Sequence, residues 1–375
     1  MNSYTAIKDV DHKIDILDHV NQDHPNEVLA IVKSKYSDEE IISAKLFDIF
    51  EEGILIHTQA RSKDSTNEMF IPFEIEGSLE DQILYLAYAA SVKQGVEIGR
   101  SSKHFFEITG KQAITKNIIR LTVSSLTPLP EYYAGHAYAF LLKAFKHQPK
   151  NTSSKKPEKH WRKKVTEHFM IWLMKHISSK NRQRLLKGAN KDVRPYTLRK
   201  AWKSTDNSSF SDLGYIDIYT HNDTLGSLWA KSLTVGDTIM SKSESKDNHQ
   251  HLEDGQALLI ADETAYPAIA GILEHWQNPL PPHVILISNK EAEQEYAKLI
   301  KFPERTVVHR VICATENQAN EALSIIKQLE NIDTVWGALE GDAAKTIRYY
   351  LRNERNIIGK KNHTRAYWKI KSNRQ

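Results

Sequence analysis

A single cysteine, Cys313, stands in a chain of 375 residues. That scarcity excludes an intramolecular disulfide framework and any metal or iron–sulfur centre built from the thiolates of one chain, and it implies a reducing, cytoplasmic compartment. No apolar run approaches the eighteen or so residues needed to span a bilayer. The longest are short, such as residues 257–261, so no membrane span is expected. The first residues alternate polar and charged groups and lack the apolar stretch of a secretory signal. A charge excess of one sign is missing too. Fifty-one Lys and Arg face forty-seven Asp and Glu, a net +4, too small to make nucleic acid the expected partner.

What is present describes a folded chain, with 40% hydrophobic and 26% charged residues. Its length exceeds one hydrophobic core and predicts two or three domains. Residues 1–98 read as a small α+β accessory domain: Ile14, Leu17, Val20 and then Val28, Leu29, Val32 have helical spacing, residues 53–56 form a strand, and a helix follows over 81–93. From 99 to 250 the pattern becomes antiparallel β, with strand signals at 119–123, 137–142, 194–199 and 215–220, as in a small barrel. A Lys/Ser/Pro-rich stretch and a helical pattern interrupt it at about 151–190. There Val165, Phe169, Trp172, Leu173 and His176 share one face, which is expected to pack on the barrel. From 251 to 375 strands alternate with helices, the signature of a parallel sheet covered on both faces.

Arg194-Pro195-Tyr196-Thr197 puts a forked cation, a flat ring and a hydroxyl on one β-segment. Arginine suits a pyrophosphate, tyrosine offers an amphipathic face, and threonine can hydrogen-bond a ring nitrogen. Alone, so short a motif is also compatible with an ordinary exposed strand. Asp262-Glu263-Thr264 closes a buried strand, and Pro267 suits the first position of a helix. That turn aims backbone N–H groups at the strand's carboxyl end, where an anionic cofactor can sit; the same side chains also serve as a helix cap.

Further segments follow in order: residues 114–120 (ITKNIIR), 194–199 (RPYTLR), His221 with Ser227 and Trp229-Ala230, Gly236-Asp237, and 261–269 (ADETAYPAI). Trp336, Ala338 and Glu340 come next, then Arg348, Leu351 and Arg352, and lastly 366–369 (AYWK). In these residues the region from about 100 onward resembles the siderophore-interacting proteins, a branch of the ferredoxin-reductase-like flavoenzymes. The resemblance implies an FAD-binding barrel followed by a nicotinamide-binding domain. It assigns Arg194, Tyr196, Thr197, His221, Ser227, Trp229, Asp262, Glu263, Thr264 and Glu340 to cofactor binding, and Lys242, Lys246 and Lys369 to an anionic ferric siderophore. The implied activity is ferric-siderophore reduction with electrons from NADH or NADPH, with no catalytic side chain and no protein metal ligand. A flavoprotein reduced by a ferredoxin, or one handling haem, is the alternative.

The chain departs from the family pattern at Thr224-Leu225, where a Gly-Pro pair is usual, at Leu339, and at Lys371. A second Gly-Pro turn is replaced by residues 240–246, MSKSESK. Residues 18–24 with Pro72-Phe73 and 87–90 resemble a small domain attached to haem-utilisation proteins. His12, His19 and His24 lie seven and five residues apart, which is not the i,i+3 or i,i+4 spacing of a helical metal pair, so a polar helix face is expected.

Overall fold

The computed structural model describes residues 4–36, 41–61, 66–94, 103–145, 170–189, 191–221 and 223–370. The basic stretch 155–164, Val165, Phe169 and Lys371 lie outside the described residues. Two compact units are present, one formed by residues 1–100 and 151–191, the other by 101–150 and 192–375.

The first unit packs helices Val10–Asp23, Pro25–Lys35 and Leu79–Gln94 against an antiparallel sheet of β1 (Ile41–Ile49), β2 (Gly53–Ala60) and β3 (Thr66–Pro72). Asp9 caps the first helix by accepting from the His12 N–H at 3.0 Å, and Pro25 opens the second. Ile16, Val20, Val28, Ile31 and Val32 bury against Leu46, Ile54, Ile56 and Ile83. The three histidines pair with acids at the surface: His12 with Glu80, His19 with Asp23 and His24 with Glu27.

Residues 170–176 and Ser179–Ala189 are helical and belong to this same unit. Met174, with Ile171 beside it, packs on Ile75 and Tyr85. Arg182, 2% exposed, donates to the carbonyls of Met174, Ile177 and Glu76. The expected face on the barrel is therefore corrected: Trp172 is 55% exposed and stacks on His176. Helical period identified an apolar stripe, but the buried position is Met174, with Ile171 partly buried against the same cluster.

In the second unit six antiparallel strands close a barrel in the order β4-β5-β8-β7-β6-β9: β4 (His104–Ala113), β5 (Ile118–Leu129), β6 (Ala137–Leu141), β7 (Val193–Trp202), β8 (Ser211–Tyr219) and β9 (Thr238–Ser245). Phe106, Leu121, Tyr138, Phe140, Ile216 and Ile239 fill it, and helix Leu225–Ser232 adds Trp229 and Ala230 to the same core. Where a second Gly-Pro turn is usual, β9 runs on as a strand through Ser245.

The parallel sheet has the order β12-β11-β10-β13-β14, formed by β10 (Ala257–Ala261), β11 (His283–Ser288), β12 (Val307–Ile312), β13 (Thr334–Glu340) and β14 (Asn362–Trp368). Helix Tyr266–Glu274 and the 3₁₀ stretch Glu291–Leu299 cover one face, and helices Gln318–Ile326 and Gly341–Arg355 cover the other. β10 and β13 are buried along their whole length, which is why they read as continuous apolar runs. The strand order reverses between them, making a topological switch point whose ligand crevice lies outside the carboxyl ends.

Charged side chains lock the barrel onto the sheet within this unit. Arg199 of β7 reaches Glu274 at 2.8 and 3.1 Å, and Arg120 holds Asp217 with two contacts of 2.7 Å. Tyr296 donates to the same Asp217 at 2.5 Å. Asn117 donates to the buried Glu293 at 2.8 Å, and Thr115 donates to it as well.

Candidate functional site

On the barrel, β7 carries Arg194, Tyr196 and Thr197 beside helix Leu225–Ser232. The Tyr196 ring lies parallel to Trp229, with centroids 5.9 Å apart and planes 11° from parallel. Gly226 permits the approach, since a Cβ there would sit 2.4 Å from the Tyr196 hydroxyl. Arg194 lies alongside, its Cγ 3.9 Å from the same point. Trp229 Nε1 is buried and has no hydrogen-bond partner among the described residues. Thr197 is 6% exposed, the first of three consecutive buried residues of β7 with Leu198 and Arg199.

Thr224, one of the departures from the usual glycines, caps this helix by accepting from the Ser227 N–H at 3.2 Å, and its hydroxyl meets Ser227 Oγ at 2.8 Å. Ser227 Oγ also donates to the His221 carbonyl. The cap thus occupies one of the otherwise unpaired backbone N–H groups at the helix start.

At the switch point, Asp262 is wholly buried and accepts from Thr264 N–H at 2.9 Å, Thr264 Oγ1 at 2.6 Å and the Trp368 indole at 2.7 Å. Burial drives its carboxyl pKa up against those donors. Glu263, 1% exposed, accepts from the Asn289 N–H at 2.5 Å and faces the Tyr219 hydroxyl at 3.5 Å. Burial first, and then the neighbouring Asp262 and Glu293 charges, push it up to about 7. Glu340 caps helix Gly341–Arg355, accepting from Asp342 and Ala343, and its other oxygen accepts from the Ile370 N–H.

The two groups meet at one seam. Tyr219 and His221, at the end of β8, stack 5.6 Å apart, and His221 lies 5.2 Å from the Trp368 ring. His221 Nδ1 is buried without a partner among the described residues, and burial lowers its pKa. Tyr219, Asn289 and Trp368 were not singled out as site residues by sequence. Trp368 lay in the recognised tail segment, while the other two carry no local signal.

The three lysines do not converge. Lys369 Nζ pairs with Asp342 at 3.4 Å, at the carboxyl edge of the sheet. Lys242 is half-buried on β9. Lys246 lines a cavity with Leu252, Ile272 and Asn278. Asn278 binds the carbonyls of Leu252 and Gly255, just before β10, so this cavity belongs to the amino edge.

Residues 255–371 match the family model described as siderophore-interacting protein. Over 181 residues, 46% of this chain, the sequence is 26% identical to a mycobactin import ATP-binding/permease protein of Mycolicibacterium thermoresistibile. Over 162 residues, 41% of the chain, it is 31% identical to the protein of that name from Mycolicibacterium smegmatis. These matches span 19% and 18% of the relatives, so the chain corresponds to about a fifth of their length. A solved siderophore-interacting protein from Acinetobacter baumannii has the same fold, with a TM-score of 0.52 and 18% identity over 72% of this chain and 92% of that one. Residues 255–371 are thus similar to the siderophore-interacting protein family, and the fold is shared with that solved protein.

Proposed function

We propose that the chain is an FAD-dependent ferric-siderophore reductase of the cytoplasm, drawing electrons from NADH or NADPH. The observation that carries this reading is the seam at Tyr219, His221 and Trp368, where the flavin segment of the barrel touches the switch point of the parallel sheet. A redox group held by the barrel and a dinucleotide held by the sheet would meet there. The residues fit a flavin: Trp229 Nε1 and His221 Nδ1 are buried polar atoms without partners among the described residues, and Gly226 leaves the helix start open beside Tyr196.

In this reading Arg194 binds the cofactor's phosphates through its planar fork. Tyr196, backed by Trp229, supplies a rigid platform for a flat ring. When bound, FAD supplies the exchange between two-electron hydride chemistry and one-electron reduction. The overall balance is one NAD(P)H and two ferric chelates giving NAD(P)⁺, one proton and two ferrous ions. Hard oxygen donors hold the ferrous ion far less tightly, so reduction releases it. Lys242, Lys246 and Lys369 are the cations proposed to attract the anionic chelate. Lys369 is the one of the three that this structure sets at the carboxyl edge.

A second donor has a specific observation in its favour. The N–H groups that open helix Gly341–Arg355 are taken by Glu340, and Asp262 and Glu263 crowd the same edge. An acidic edge with its donors occupied disfavours a pyrophosphate, which favours electron delivery by a ferredoxin-type protein.

Flavin content tests the common premise. The purified chain reconstituted with FAD should retain it stoichiometrically through gel filtration. Arg194→Ala should weaken retention roughly 10- to 100-fold, the loss of a charge-assisted hydrogen bond. A chain that stays colourless after reconstitution overturns every flavin reading.

A further inference from the structure

The first unit carries a basic outer surface. Residues 168–191 contain six Lys and Arg and no Asp or Glu, whereas residues 1–100 hold nine Lys and Arg against nineteen Asp and Glu. Helix 170–176 and helix Ser179–Ala189 rest on one support. Met174 packs on Ile75 and Tyr85. Arg182 donates to the Glu76 carbonyl at 3.0 Å, and Ser179 and Gln183 each reach Asp81 at 3.3 Å. Both helices thus bury the side that meets residues 75–85 and present the other to solvent.

The solvent side sets an aromatic ring beside cations. Trp172 is 55% exposed, and Lys175 and His176, one turn on, are exposed on the same helical face. His176 stacks on the Trp172 ring, with centroids 4.9 Å apart. On the next helix Lys180 and Arg184 are exposed one turn apart, and no ion pair engages either among the described residues. The nearby carboxylates leave this charge in excess. Glu74 is shared by Lys35 at 2.5 Å and Lys175 at 3.4 Å, and Asp81 is 8% exposed on the inner side. Glu76 adds one exposed opposing charge.

A bilayer rich in anionic lipid offers negative charge at the headgroup level and apolar chains just beneath. Lysine and arginine are drawn to the first, and an amphipathic indole enters the boundary between the two. An acidic protein would answer the cations as well, but the exposed ring set among them favours the bilayer, where charge and apolar depth come together. We propose that the solvent side of helices 170–176 and Ser179–Ala189, through Trp172, Lys175, Lys180 and Arg184, docks the chain reversibly on an anionic membrane surface. Among the described residues no helix is long and apolar enough to cross a membrane, so the attachment is peripheral. It uses the first unit alone and stands apart from the flavin and siderophore reading.

The test is co-sedimentation of the full chain with vesicles of phosphatidylcholine alone, or of equal phosphatidylcholine and phosphatidylglycerol. The mixed vesicles should carry the chain down at low salt and release it at high salt, and the neutral ones should leave it in solution. Lys180→Glu/Arg184→Glu should weaken binding more than about 20-fold, as each cation lost near such a surface costs about fivefold. Trp172→Ala should weaken it about tenfold at unchanged charge, and Trp172→Phe should keep most of it. Lys45→Glu/Lys301→Glu makes the same charge change at exposed lysines elsewhere and should weaken it far less. A DNA duplex added at equal charge should leave the chain on the vesicles. The proposal is overturned if the mixed vesicles leave the chain in solution, which would point to an acidic protein partner, or if DNA strips it off, which would mark a nucleic-acid surface. Equal loss in the control pair, or unchanged binding of Trp172→Ala, overturns it too. If Trp172→Ala does not fold, the two charge pairs decide. Vesicle binding is read without electron transfer, so its failure and a failure of the reductase reading are distinct.

Discussion

Replacing Glu274 by alanine probes the joint that holds barrel and sheet together. Arg199 is 4% exposed and spends two N–H groups on the Glu274 carboxylate, at 2.8 and 3.1 Å, while Tyr133 donates to it at 2.5 Å. Arg199 Nε has no partner among the described residues, and one further contact reaches the Leu299 carbonyl at 3.4 Å. Removing the carboxylate leaves a buried guanidinium almost unanswered. Breaking one side of such a pair costs about 3–5 kcal/mol, and the orphaned tyrosine hydroxyl adds about 1 kcal/mol. For a unit of this size, each kcal/mol lowers the melting temperature by roughly 2–4 °C, so a fall of about 8–24 °C is expected. Burial raises the Glu274 carboxyl, but the hydrogen bonds from Arg199 and Tyr133 outweigh it and hold the group below its ordinary value. A lowered carboxyl stabilises the fold above its unfolded pKa and stops doing so as pH falls through the folded one. The gap between wild type and Glu274→Ala should therefore close in acid. The double variant Arg199→Met/Glu274→Leu should recover most of the loss, since an apolar pair has no charge to desolvate. Urea unfolding followed by tryptophan fluorescence measures wild type, Arg199→Met, Glu274→Ala and the double variant. A single-variant loss under about 1 kcal/mol, or a double variant no better than the singles, refutes this view of the joint.

Glu263→Gln should stabilise the chain above pH 7. A carboxyl raised from 4.5 to about 7 contributes its full stability below the unfolded value and loses it as pH climbs to 7, so the variant gains up to about 3 kcal/mol there. Melting curves from pH 4 to 8 check it. Gly226→Ala sets a methyl 2.4 Å from the Tyr196 hydroxyl and should cost about 1–3 kcal/mol by overpacking, with a lower flavin content measured by absorbance. Trp368→Phe keeps a ring against His221 but removes a 2.7 Å donor from the wholly buried Asp262; a loss of about 1–3 kcal/mol should appear in the same urea titration.

Much of the architecture was legible because it is local. The alternation around Leu121 and Val123, the uniform burial of β10, and the run of strands and helices after residue 251 each report a period set by one element's surroundings. The Arg194–Thr197 strand was legible for the same reason, with a family resemblance to give it a role. What escaped is joined across distance. Arg199 and Glu274 lie 75 residues apart, and Asp262 and Trp368 lie 106 apart, so no window contains both partners. The helical stripe at 165–176 had a period but no indication of its partner, and the structure seats Met174 on the first unit through Ile75 and Tyr85. Charge carries no address in sequence either, and the positions of Lys369 and Lys246 at opposite edges of the sheet come from the fold.

The central claim is electron transfer to chelated ferric iron, and anaerobic spectroscopy tests it most directly. FAD-loaded protein is mixed first with NADH and then with NADPH, and a ferric siderophore is added with a ferrous-specific chromogenic trap. The flavin's visible absorbance should bleach and then return as trapped ferrous iron accumulates at two per nicotinamide consumed. A flavin that bleaches only with a reduced ferredoxin, yet still delivers ferrous iron, would keep the reductase and replace the donor. A fully reduced flavin that leaves the ferric siderophore untouched would contradict the account.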